Sequence, residues 1–158
     1  MFKINRLTDY AAAILLSLSD YPSVSSSAAE VSQRTGIAYP TVSKVLKLLL
    51  DSQLVISHRG VRGGYVLARS IKDVSLAQLV EAIEGGVNVT SCCVDNGECV
   101  RAESCGTKNN WRLVNRSLVM LFESVSLSDM AGTLTLSSVA EKFMQTVCAH
   151  ATIHEEKV

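Results

Sequence analysis

Residues 27–69 read SAAEVSQRTGIAYPTVSKVLKLLLDSQLVISHRGVRGGYVLAR, and the punctuation of this stretch decides the fold. Ser27 and Glu30 stand in a capping-box relation that opens a short helix, AAEVSQRT, and Gly36 closes it. Pro40 stands where a first helical residue is expected. The helix TVSKVLKLLLDSQ follows, with Val42, Val45, Leu46 and Leu49 on one face. Two helices joined by a glycine-containing turn match a helix-turn-helix, a pattern shared with an ordinary helical hairpin that has a solvated face. LVISH and GYVLAR then read as two short strands around the basic, glycine-rich turn Arg59 to Gly64. A β-hairpin directly after a helix-turn-helix is a wing. The order helix, turn, helix, basic hairpin is more specific than any of its parts.

The second helix leaves Thr41, Ser43, Lys44 and Lys47 off its apolar stripe, and Tyr39 stands at its entrance. Such residues contact base edges and phosphates when a recognition helix lies in the major groove. Arg59 and Arg62 of the wing are placed to reach the minor groove or adjacent phosphates, unless they only solubilise the turn. The wing glycines allow close backbone approach. His58 either touches phosphate or packs at the wing.

Outward from this stretch, Thr8 is expected to cap a first helix with Leu7, Ala11, Ile14, Leu15 and Leu18 at helical spacing. The opening MFKINRLTDYAAAILLSLSD has the basic start of a signal peptide. Thr8 and Asp9 interrupt it and no small-residue cleavage site follows, so it reads as an amphipathic helix. Downstream, Ser75 and Gln78 form another capping pair before a helix that packs Leu76, Leu79, Val80 and Ile83 inward and ends at Gly85. VNVTSCCVDNGECVRAESCG lacks periodicity and reads as a loop. A long helix from Lys108 to Val125 follows, with Trp111, Val114, Leu118, Leu121, Phe122 and Val125 in a near-heptad seam suited to a partner helix or to its own domain. Leu136, Val139, Phe143 and Val147 repeat the pattern weakly in the tail, where His150 and His154 are expected to be solvated and Cys148 to be a small core or surface residue.

The expected fold is mostly α with a small β wing: a winged helix-turn-helix plus a long dimerisation helix. Its units are a DNA-binding domain over 1–70, a connecting helix over 71–90, a cysteine loop over 91–107, a dimerisation helix over 108–130 and a helical tail over 131–158. The 158 residues, 47% of them hydrophobic, suffice for one core and argue against disorder. No run of about 18 apolar residues exists, so no membrane partner is expected and the chain is placed in the cytoplasm. Net charge is zero, yet residues 1–70 hold eight Lys/Arg against four Asp/Glu, a balance of +4, and the remainder hold seven against eleven, a balance of −4. A basic first half suits phosphate contact.

Four of the five cysteines fall within Cys92 to Cys105. In a reducing compartment such a cluster is metal-binding or redox-active rather than structural. Cys93, Cys99 and Cys105 have five residues between neighbours, which lets a loop containing Asn96 and Gly97 curl around one cofactor. Thiolates are the usual ligands of iron–sulfur clusters. The spacing is wider than that of a zinc knuckle, although structural zinc and a thiol–disulfide sensor remain chemical alternatives.

With these pieces in place, the chain resembles the IscR-type family of winged-helix regulators, which includes the iron–sulfur biogenesis regulators IscR and the nitric-oxide sensor NsrR. The resemblance covers roughly residues 1–130. It is carried by Leu7-Thr8-Asp9-Tyr10-Ala11, the wing at 60–69, the spaced cysteines, Trp111 and Ser126-Leu127-Ser128-Asp129-Met130. Asn110-Trp111-Arg112 and the last segment are most similar to the branch that regulates iron–sulfur assembly of the SUF type. The resemblance implies a homodimer on palindromic operator DNA, with a 2Fe–2S or 4Fe–4S cluster that changes DNA affinity. In IscR a histidine lies three residues after the last cysteine, and here that position is Lys108, which when protonated cannot ligate iron. Asp9 matches the acidic residue that NsrR-type proteins contribute from the opposite subunit. Cys92 is the alternative fourth ligand, although adjacent residues rarely reach one iron together. Asp9 also suits the plain role of an acidic residue in a first helical turn.

The function this implies is a repressor of iron–sulfur assembly genes that senses iron–sulfur status or oxidative stress. A nitric-oxide-sensing repressor and a cluster-free thiol sensor are the alternatives. A redox enzyme is disfavoured because no dinucleotide fingerprint, P-loop or nucleophile elbow is present, and no small-molecule substrate is expected. A winged helix that binds protein instead of DNA fits the neutral net charge but not the basic wing.

Overall fold

The computed structural model describes residues 4–22, 24–60, 63–93, 99 and 104–155, with side chains as far as residue 151. Helices α1 (Arg6–Ser19), α2 (Ala28–Thr35) and α3 (Tyr39–Asp51) precede strands β1 (Val55–His58) and β2 (Gly64–Leu67). Helices α4 (Leu76–Glu84), α5 (Lys108–Ser124), α6 (Leu127–Ala131) and α7 (Leu136–Glu155) follow. The fold is mostly α with a two-stranded antiparallel wing, as the sequence leads one to expect.

Local chemistry explains most element boundaries. Ser27 accepts from the Glu30 N–H, while the Glu30 carboxylate accepts from the Ser27 N–H and hydroxyl. These bonds, led by that from the hydroxyl, hold the Glu30 carboxyl below its ordinary pKa. Gly36 (φ 69°) ends α2, and the same capping box recurs at Ser75 and Gln78 before α4. Helix α3 starts two residues before the expected Thr41, from an N-cap at Ala38, so Pro40 is the second helical residue.

The expected Thr8 cap is wrong. Asn5 caps α1, its side chain accepting from the Leu7 N–H at 3.0 Å, and Thr8 lies inside the helix at 2% exposure. Asn and Thr are both good N-caps, so capping preference does not choose between them; a partner far along the chain does. The Thr8 hydroxyl donates to Glu84 Oε1, and the same oxygen accepts the Asn5 N–H at 2.9 Å.

Helices α1, α2 and α3 bury Ile14, Leu15, Val31, Val42, Val45, Leu46 and Leu49 completely. Leu54 and Val55, Val74, Leu79 of α4 and Leu127 of α6 complete this core. Each such side chain contributes roughly 1.5–3 kcal/mol on burial. The wing is joined to the core edge by paired hydrogen bonds between Ser26 and Tyr65, at 3.0 and 2.8 Å. Gly64 makes that junction fit, because at φ 158° an added Cβ would lie 2.6 Å from the Ser26 backbone. The close approach expected of the wing glycines is therefore, at Gly64, an approach to the chain itself.

After α5 the chain returns to the body through Leu76 N–H to Val125 O (2.8 Å) and Leu127 N–H to Val74 O (2.9 Å). A capping box at Ser126 and Asp129 starts α6 there. Helix α7 packs along α5, and Lys142–Asp129 (3.1 Å) and His150–Glu123 (3.3 Å) tie it down. His150 is thus partly exposed with its Nε2 3.3 Å from a Glu123 carboxylate oxygen, and the His154 side chain lies outside the described residues. Cys148 is exposed on α7.

Candidate nucleic-acid interface and thiol site

Helix α3 turns its apolar stripe into the core, and this leaves its other side outward. Tyr39 is 55% exposed, Lys44 and Lys47 are exposed, and Thr41 and Ser43 are half-buried. Arg59 and His58 are exposed at the end of β1, and Arg62 falls outside the described residues. The result is a helix–turn–helix with cations on its outer face and a wing beside it. The sequence did not suggest one further pair: the Arg34 guanidinium lies 4.6 Å from the centre of the Tyr21 ring, a cation–π contact that joins the end of α2 to the segment after α1.

The cysteine segment leaves α4 through Gly85 and Gly86, both at positive φ, and forms a 3-10 turn at Ser91–Cys93 against α5. Thr90 Oγ1 lies 3.0 Å from Cys92 Sγ and 3.3 Å from Cys93 Sγ. The Cys93 thiol donates to the Trp111 carbonyl at 3.6 Å, and Arg112 Nε donates to the Cys92 carbonyl at 3.3 Å. Cys105 stands just before α5, its carbonyl accepting the Lys108 N–H and its sulfur 3.4 Å from Thr107 Oγ1. Cys92, Cys93, Cys99 and Cys105 are all half-buried. Cys93 and Cys105 therefore both abut the first turns of α5. Among the described residues, no three His, Cys, Asp or Glu side chains gather closely enough to hold a metal ion.

Asp9 sits elsewhere in the protomer. It is exposed in the first turn of α1 and lines a cavity of about 940 Å3 with Asn5, Thr8, Glu84 and Met130. The structure does not bring it to this chain's cysteines among the described residues. Glu84, Thr90 and Asn115 are the residues around these sites that sequence reasoning missed, and Arg112 entered it only as a mark of resemblance. Each acts through a partner at a distance or an irregular turn, so no periodicity marks them.

The sequence pattern of the Rrf2 family, described as iron-dependent transcriptional regulators, matches residues 4–133. The chain belongs to the Rrf2 family. A helix-turn-helix transcriptional regulator of Azotobacter vinelandii is 33% identical over 104 residues, which cover 66% of this chain and 63% of that protein. IscR of Xenorhabdus nematophila is 28% identical over 114 residues, covering 72% of this chain and 69% of its own. The structure of CymR, the global cysteine regulator of B. subtilis, superposes with a TM-score of 0.62 at 21% identity, covering 83% of this chain and 97% of CymR, and shows the same fold. Rrf2 proteins are transcriptional regulators and not enzymes, so α3 and the wing belong to a DNA-binding regulator. The family match ends at residue 133, before α7 begins.

Proposed function

We propose that the chain is a cytoplasmic, homodimeric repressor of iron–sulfur assembly genes that senses iron–sulfur status or oxidative stress at its cysteines. It would read operator DNA with Tyr39, Thr41, Ser43, Lys44 and Lys47 of α3 and Arg59 and Arg62 of the wing. One observation carries the reading. Cys93 and Cys105 abut the same helix, α5, that turns Trp111, Leu113 and Val114 outward at 41%, 66% and 47% exposure. Large apolar residues left exposed on a long helix suit a partner helix, so the thiols lie beside a candidate dimer seam. Residues 1–70, 71–90, 91–107, 108–130 and 131–158 would then serve as reader, connector, thiol loop, pairing helix and tail.

The donor set fits an iron–sulfur cluster by its chemistry, since several half-buried thiols lie together in sequence and hydroxyl groups lie near Cys92, Cys93 and Cys105. Cys93, Cys99 and Cys105 would hold it, with Asp9 from across the dimer or Cys92 in the fourth place. Bound there, the cluster would supply a redox-active centre open to oxygen, nitric oxide or iron scarcity. Asp9 would link α1 of one protomer to the thiols of the other. Loss of that link would alter the tilt between the two recognition helices, a local change that a two-state dimer would read out.

A thiol–disulfide sensor is the second reading, favoured by the Thr90 hydroxyl that Cys92 and Cys93 share. Anaerobic purification followed by visible absorption, Mössbauer spectroscopy and sedimentation separates the two. A brown, iron-bearing dimer supports the cluster. A colourless dimer that stays iron-free after reconstitution sinks it, and reversible disulfide formation in that sample would favour the thiol sensor.

A further inference from the structure

Residues 89–93 lie against α5, which meets them three times. Asn115 Oδ1 accepts the Val89 N–H at 2.9 Å, Arg112 Nε donates to the Cys92 carbonyl at 3.3 Å, and the Trp111 carbonyl accepts from Cys93 Sγ at 3.6 Å. Asn115 is the unusual member of its helix. At 9% exposure it is the one buried residue of α5 among the described residues. A buried amide is costly unless a fixed partner satisfies it. Here that partner is a backbone N–H of an irregular segment, one residue before Thr90 and four before Cys93.

Holding α5 on the body is a task other contacts already perform. Its C-terminal end is fixed by the Val125 carbonyl and its flank by α7. What the Asn115 bond adds is a fixed starting point for the turn in which Thr90 lies against two sulfurs. Asn115 and Cys93 also line one cleft of about 610 Å3, together with Gln78, Glu81 and Glu123. The thiol thus stands at a cleft, in an orientation set from α5.

We infer that Asn115 is the positioning residue of the thiol site: by holding the Val89 N–H it fixes the turn through Cys93 on α5 and sets the orientation and access of the Cys93 sulfur. This rests on reading Cys93 as a sensing group, and it names the residue through which α5 controls that group. It also predicts that α5 and the thiol turn respond together, because the same five-residue stretch of helix supplies all three contacts.

The test is the rate at which iodoacetamide alkylates Cys93 in the reduced, full-length chain, resolved by tandem mass spectrometry. The exposed Cys148 in the same molecule serves as the reference. Asn115→Leu is expected to raise the Cys93-to-Cys148 ratio about fivefold, as loss of one hydrogen bond of ordinary strength allows. Asn115→Asp keeps an acceptor oxygen in place and should stay within about twofold of the parent, while Arg112→Ala, changed on an exposed side, should raise the ratio about twofold. An unchanged ratio in Asn115→Leu, or an Asp variant as reactive as the Leu variant, overturns the inference. If circular dichroism shows Asn115→Leu unfolded, Asn115→Ala is measured in its place, and no rise there overturns the inference. Iron and sulfide content after anaerobic reconstitution is measured alongside. A parent protein that takes up neither defeats the cluster reading, while the alkylation ratios still decide the role of Asn115.

Discussion

Helix α3 buries Val42, Val45, Leu46 and Leu49 completely, whereas the longer α5 buries only Asn115 among the described residues and leaves Trp111, Leu113 and Val114 outward. Both are amphipathic by sequence, but the apolar stripe of α3 is closed over by α1, α2 and α4, while α5 packs on α4 and α7 and still leaves large apolar residues to solvent. The DNA-reading half is therefore held by apolar burial, which is non-directional and tolerant of small shifts. The thiol half is held by single hydrogen bonds from side chain to backbone, each worth about 1 kcal/mol and dependent on geometry. If the thiol site senses as proposed, a firmly packed reader joined to a more weakly held thiol segment is the division of labour expected where a small chemical change has to move one part without unfolding the other.

That contrast can be broken at several points. The largest effect belongs to the core: Leu46→Ala, at a site with 0% exposure, should cost about 2–5 kcal/mol in urea unfolding. A loss below about 1 kcal/mol would show that the reader is not held by burial. Next is the joint between the halves. Glu84→Ala strips the acceptor from Asn5 N–H and from the buried Thr8 hydroxyl, and should cost about 1–3 kcal/mol, with faster amide exchange at the start of α1.

Changing Lys44 and Lys47 together to Ala should leave thermal stability unchanged, since both are exposed. If both touch phosphate in each protomer of a dimer, the slope of log affinity against log salt becomes shallower by about 4, and binding weakens similarly on all sequences. An unchanged slope would move the DNA face away from α3.

The smallest effect is the acid response of α6. Backbone and hydroxyl hydrogen bonds from Ser126, then Lys142, hold the Asp129 carboxyl below its ordinary pKa. Its contribution is therefore full above the usual carboxylate range and is lost as pH falls through the folded-state value. Asp129→Asn should lower stability slightly at neutral pH and match the parent in acid, so that the acid limb of a stability–pH curve becomes flatter.

The winged helix was legible because its decisive signals are local. Ser27 with Glu30, Ser75 with Gln78, and the glycines at 36 and 85 each act within a few residues, so adjacent letters suffice. Thr8 was misread because its partner, Glu84, lies 76 residues away. The capping box at Ser126 and Asp129 was local as well, yet its segment was read only as a mark of resemblance. At the thiol site the sequence offers cysteines and their spacing, but which residues hold them is a long-range matter. Asn115 lies 26 residues from Val89, in a helix whose pattern marks it only as a polar interruption. Asp9 as a ligand is a relation between two chains, and one chain's periodicity carries no trace of it.

The central claim is that the state of the cysteine site alters DNA reading by a body that itself stays folded. Its most direct test is anaerobic fluorescence anisotropy of a duplex selected from a random pool, titrated with cluster-loaded and cluster-free protein at one salt concentration. The account predicts affinities that differ by between about 5- and 150-fold, the usual range for coupling between two sites, with matching far-ultraviolet circular dichroism. Equal affinities for two forms of verified iron content would contradict it.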